Sequence, residues 1–268
     1  MATVDTLKIE ELSLGTPSVL PEPEDRQKTP HPEPARCPAS GALANDSNQA
    51  VCPVTGASAP PNGEPSTQEV DPDLLRTSIS TRMTYLKDFL GFKRYDQDVL
   101  NKVAPLIYES IPTIVDQLYS KLFEFDLTKQ VFLERNDGFD GPLPRSLEDL
   151  TLDSPQLVYR KVFMKAWARR ILTSDFTSVK TFQYLDKVGV MHTGVKSFKH
   201  RAHVSPLHVP YRDCALTLGW VLTVLQTAIL SLDEEKLSAK DKIDAIAAIN
   251  KVIWMQNDLF ARHYIPGE

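Results

Sequence analysis

An all-α fold behind a long disordered tail is what this sequence predicts, on three observations. All 22 aromatic residues lie at or after Tyr85, while 12 of the 20 prolines fall within residues 1–72. From Asp71 onward, apolar residues recur at spacings of three and four, the period of a helix with one buried face. No run of alternating apolar and polar residues bounded by hairpin turns occurs, so strands are not expected. Residues 1–70 carry ten acidic against four basic residues, net −6. Such a segment buries too little apolar surface to offset the entropy of ordering it. Residues 1–70 therefore read as a Pro-rich, acidic, disordered tail and residues 71–268 as one folded domain.

The helices can be placed in order. Asp71-Pro72 is a start signal, Asp as N-cap and Pro at the first position; the helix runs through Leu75, Ile79, Leu86 and Leu90 to Gly91. Asp96 opens a second helix through Leu100, Val103 and Ile107, kinked at Pro105. Pro112 begins a third, with Ile111, Val115, Leu118, Tyr119 and Leu122 inward. A short helix covers Leu127–Leu133, followed by a Gly/Pro-rich loop from Asn136. Ser154-Pro155 starts the next, with Val158, Val162, Phe163, Ala166, Trp167 and Ile171 expected to face the core. Thr177–His192 follows, then a basic loop to Val209, a long apolar helix over Pro210–Leu232 and a last helix over Ser238–Tyr264. No internal repeat is visible.

Several function classes fall away on composition. The folded part holds 26 basic and 25 acidic residues, net +1, without a basic stripe, so nucleic acid is not an expected partner. Met1–Gly15 has neither the basic start nor the apolar run of a signal peptide. Cys37, Cys52 and Cys214 cannot all pair internally, which suits a reducing, cytoplasmic setting. Cys214–Leu232 is nineteen residues without a charge, long enough to span a bilayer. Its threonines and Gln226, with charges tight against both ends, favour a core helix with a second face on another subunit over a membrane span. His200, His203 and His208 with Cys214 match no tight zinc spacing, and there is no Gly-rich phosphate loop or nucleophile elbow. Cys37-Pro38 and Cys52-Pro53 resemble dipeptides that bind free haem transiently.

His192 is the most informative residue. It shares a helical face with Leu185, Val188 and Gly189 and has no acidic partner or nucleophile nearby in sequence. An imidazole there is either a core histidine bonded to backbone or the axial ligand of a buried haem. Taken alone, the core reading is the commoner one.

Four stretches together resemble the protoglobins and the globin domains of globin-coupled sensors, over roughly residues 73–262. Tyr85-Leu-Lys-Asp-Phe-Leu-Gly-Phe92 is similar to that family's extra N-terminal helix. Ile111-Pro-Thr-Ile-Val-Asp-Gln-Leu-Tyr119 is similar to the helix ending at its distal tyrosine. Tyr184–Thr193 is similar to its proximal motif, with Gly189 three residues before the histidine, and Leu207-His-Val-Pro-Tyr-Arg212 to the entry of its dimer-forming helix. The resemblance implies haem b (iron protoporphyrin IX) with iron bound by His192, and Tyr119 hydrogen-bonding a diatomic gas (O2, CO or NO). It places Leu118, Phe163, Trp167, Val188, Thr217 and Val221 against the cofactor. Trp167 departs from the family's phenylalanine, Leu118 from a tryptophan, and Thr217 and Val221 from a Phe and an Ile, so the ligand space differs from that of relatives. Without the resemblance, Tyr119 reads as a core tyrosine.

The resulting expectation is a stand-alone, homodimeric gas sensor or carrier, paired through its last two helices, with Trp220 and Val224 on the exposed face. A signalling partner is left unidentified. The enzyme alternative is a haem peroxidase or NO-dioxygenase, for which the sequence offers no distal His/Arg pair and no flavin module. The third alternative is a haem-free helical interaction module. His192 argues against the last, since imidazole is the usual proximal ligand of globin iron.

Overall fold

The computed structural model describes residues 67–135, 139–195 and 207–267, and among them no strand forms. Most of the tail with its Cys-Pro dipeptides, part of the Gly/Pro-rich loop, and His200 and His203 lie outside the described residues. Among the described residues nine α-helices follow one another: α1 (Pro72–Thr77), α2 (Ile79–Leu90), α3 (Arg94–Ile107), α4 (Ile111–Phe123), α5 (Asp126–Lys129), α6 (Pro155–Thr173), α7 (Val179–Val190), α8 (Tyr211–Leu230) and α9 (Ala239–Ala261).

The first predicted helix is in fact two. Ser78 leaves helical geometry (φ −111°, ψ 108°) and its hydroxyl accepts from the Thr81 N–H, so it ends α1 and caps α2. Serine at an N-cap competes with the helix for backbone partners, and here it wins. Gly91 closes α2 in the left-handed region at φ 62°, where a Cβ would be strained. The second helix begins two residues before Asp96, whose carboxylate accepts the Lys93 N–H and also meets Lys251 of α9 at 2.7 Å. After Pro105 the chain tightens into a 3-10 turn at Tyr108–Ser110 before α4.

α9 is the hub. It packs against α8, α3 and α7, while α4 packs on α6 and α8, and α6 on α3. α8, the one described helix long and apolar enough to cross a membrane, buries Cys214, Leu218, Val221, Leu225 and Ile229 at helical spacing in the common core.

α6 buries Trp167 and Ile171 as expected, but the rest of its inner face is not the one expected. Val158, Val162, Phe163 and Ala166 are exposed, whereas Gln156, Leu157, Arg160, Trp167, Ala168, Ile171 and Leu172 are buried. The reason is polar. Gln156 Nε2 donates to the carbonyls of Phe132 (3.0 Å) and Glu134 (2.7 Å), and Arg160 Nη2 donates to Glu134 O (3.1 Å). The buried Phe132 carbonyl and the part-buried Glu134 carbonyl need donors, and the helix turns its two suitable side chains toward them.

Candidate functional site

His192 stands just past the end of α7, in a turn where its N–H donates to Gly189 O (3.1 Å) and its carbonyl accepts from Val209 N (2.8 Å). The helix therefore stops two residues short of the predicted His192. Nδ1 donates to Val188 O at 2.7 Å. A carbonyl can only accept, so Nδ1 carries the proton, and Nε2 is left as the basic nitrogen with no hydrogen bond among the described residues. Burial pushes the imidazole pKa below its ordinary value; the Val188 bond opposes that, and the Arg160 charge adds to it. The ring is thus neutral, which is the form that binds a metal. Phe260 of α9 flanks it edge-on at 5.2 Å.

Gly189 sets this position. A Cβ there would overlap the Leu259 carbonyl oxygen and crowd His263 at 3.2 Å. Glycine lets α7 lie directly on α9, which fixes the turn carrying His192. The same joint is pinned by Asp186, which takes His263 Nε2 at 2.8 Å and Arg262 Nη1 at 3.2 Å.

Across the core, α4 supplies Leu118 and Tyr119, both buried. The Tyr119 ring lies 5.6 Å from Phe132. Burial raises its pKa to about 12, with Arg160 working the other way. The phenol is therefore protonated and able to donate at any physiological pH, and its hydroxyl makes no hydrogen bond among the described residues.

The remaining predicted site residues divide. Trp167 and Val221 join Leu118 and Tyr119 in the core, Val188 packs against it, and Thr217 of α8 is half-buried. Trp167 Nε1 donates to Gln256 Oε1 (3.1 Å), and Gln256 Nε2 donates to Leu185 O (3.0 Å), so its polar edge ties α6 through α9 to α7. Phe163 stands outside the core, 52 % exposed and edge-on to Tyr159 at 4.9 Å. Among the described residues no group of histidine, cysteine and carboxylate could hold a metal ion; His208 Nδ1 instead donates to Thr193 O (3.1 Å).

Two residues escaped the sequence reading. Gln256 is fully buried and links three helices; a polar residue on the α9 core stripe of Val252, Met255 and Leu259 was the available signal. Arg160 is the other. The sequence suggested no arginine for this region, yet its guanidinium is buried 5.1 Å from the Phe132 ring, and its charge acts on both Tyr119 and His192.

The donor set suits a haem iron: one neutral imidazole with a free Nε2, apolar flanks, and a phenol with an uncommitted hydroxyl on another helix. A model of the protoglobin family matches residues 79–268. The structure is similar to the globin domain of a Geobacter sulfurreducens globin-coupled sensor, at 16 % identity and TM-score 0.50, covering 68 % of this chain and 97 % of that domain. At that identity the likeness is one of fold. No curated protein matches the chain.

Proposed function

This chain belongs to the protoglobin family, and from that premise we propose that it binds haem b through His192 and holds a diatomic gas beside Tyr119. The observation that carries the reading is His192: its Nδ1 is committed to Val188 O and its Nε2 is left free. A haem held by His192 would supply an iron able to bind O2, CO or NO. The protein's own residues do the rest. Val188 fixes the imidazole tautomer and ring angle, Gly189 keeps α7 against α9, and the buried Tyr119 offers an O–H to a ligand with partial negative charge. Leu118, Trp167, Val188 and Val221 provide apolar walls that exclude water, with Thr217 adding one hydroxyl.

The reading extends to a cytoplasmic sensor or carrier that pairs through α8 and α9. Trp220 and Val224 are half-buried and do not form the exposed face assigned to them. Leu216 (67 % exposed) and Leu230 on α8 are exposed instead, as are Ile243 and Trp254 on α9. Leu216, Thr223, Thr227 and Leu230 recur on one helical face, and a two-fold four-helix contact would cover that apolar surface.

The test is an absorption spectrum of full-length protein expressed with haem, oxidised, reduced and under CO. A Soret band that shifts on reduction and again with CO supports the reading; its absence defeats it. Sedimentation at micromolar concentration tests the dimer, and a monomer there contradicts it.

A further inference from the structure

Arg160 sits at the centre of the buried face of α6, 7 % exposed. Its Nη2 donates to Glu134 O, its plane lies near Phe132, and Gln156 one turn earlier holds the same carbonyl. These contacts fix the guanidinium but do not satisfy it. Nε is buried without a hydrogen-bond partner, the one such side-chain atom among the described residues. No carboxylate among them pairs with it; the neighbouring Lys161 takes Asp116 instead (2.9 Å). A buried, unpaired guanidinium is costly, and its field reaches both Tyr119 and the His192 ring.

We infer that Arg160 is an anion-selecting residue on the Tyr119 side of the site, favouring axial ligands with a full negative charge, such as azide or fluoride, over neutral gases. The inference rests on the haem reading above. A ligand anion supplies the counter-charge that the protein withholds, and the spare Nε–H gives it a charge-assisted donor, on the side of the core where Arg160 and Tyr119 both lie against the Phe132 ring. Desolvation lowers the arginine pKa only to about 10, so the positive charge persists at neutral pH. A haem propionate shares the carboxylate's negative charge with such ligands and is the other source the test must separate.

The experiment uses full-length ferric protein loaded with haem, titrated with azide and fluoride by absorbance, with CO binding to the ferrous form as the neutral control. Arg160→Leu should weaken azide and fluoride by about tenfold or more, and Arg160→Lys by less, while CO affinity moves by under about threefold. The CO stretching frequency should rise in Arg160→Leu as the positive field is removed. Should the leucine variant lose helicity, Arg160→Gln keeps an N–H for Glu134 O and should show the same anion loss. Unchanged anion affinity overturns the inference, as do equal losses for azide and CO, which mark a structural prop. Faster haem release with anion affinity intact also overturns it and assigns Arg160 to a propionate. Wild-type protein without a Soret band defeats the haem reading itself, a separate result.

Discussion

The two sides of the candidate site treat their polar groups in opposite ways. On the α7–α9 side nearly everything is committed: His192 Nδ1 to Val188 O, Asp186 to His263 and Arg262, Gln256 to both Trp167 and Leu185. On the α4–α6 side the buried Arg160 Nε has no hydrogen-bond partner among the described residues. A fully satisfied network is rigid, whereas a buried donor without a partner is costly. One side holds a position; under the proposed function the other receives the ligand.

The largest expected effect tests the committed side. Gly189→Val places a side chain against the Leu259 backbone, which cannot yield as a side chain would. It should cost about 3 kcal/mol, lowering Tm by roughly 6–12 °C for a domain of this size. An unchanged melting temperature by circular dichroism would show that α7 and α9 are not as close as described. Gln256→Leu comes next. It strands the Trp167 indole N–H in the core and should cost about 2 kcal/mol, read as a lower urea midpoint at constant m-value.

Tyr119→Phe probes the receptive side. It should weaken O2 by about tenfold and CO much less, since CO carries less charge for the hydroxyl to meet. Equal losses would place Tyr119 among the packing residues. The smallest effect is one of pH. The Tyr119 pKa is raised from 10.0 to about 12 in the fold, so the folded protein favours the neutral phenol. That contribution is complete below about pH 10 and declines as pH rises toward the folded value. The stability of wild type relative to Tyr119→Phe should therefore fall between about pH 10 and about pH 12, and a difference constant with pH would contradict the burial of the tyrosine.

Both sides were legible in sequence where the deciding chemistry is local. Gly189 three residues before His192, the Ile111–Tyr119 stretch and the start signals at Asp71-Pro72 and Ser154-Pro155 are local, and local chemistry decides them. Ser78 was missed because the apolar spacing from Leu75 to Ile79 runs unbroken across a residue whose own side chain ends the helix. α6 was misread for a longer-range reason. Apolar residues occur nearly all round it, so its spacing predicts a helix without fixing which face is inner. The phase is set by carbonyls at Phe132 and Glu134, more than twenty residues away in sequence. Arg160 was lost with it, because an arginine in a helix ordinarily points to water. Gln256 makes its bonds 71 and 89 residues away, and no local pattern encodes that.

Haem binding as proposed hangs on a bond from His192 Nε2, which is probed by replacing the side chain while offering its ring in solution. His192→Gly protein, helical by circular dichroism, should lose the Soret band of the wild type and regain it when imidazole is added to the haem-loaded mixture. A His192→Gly variant that keeps the wild-type spectrum without imidazole would contradict the account.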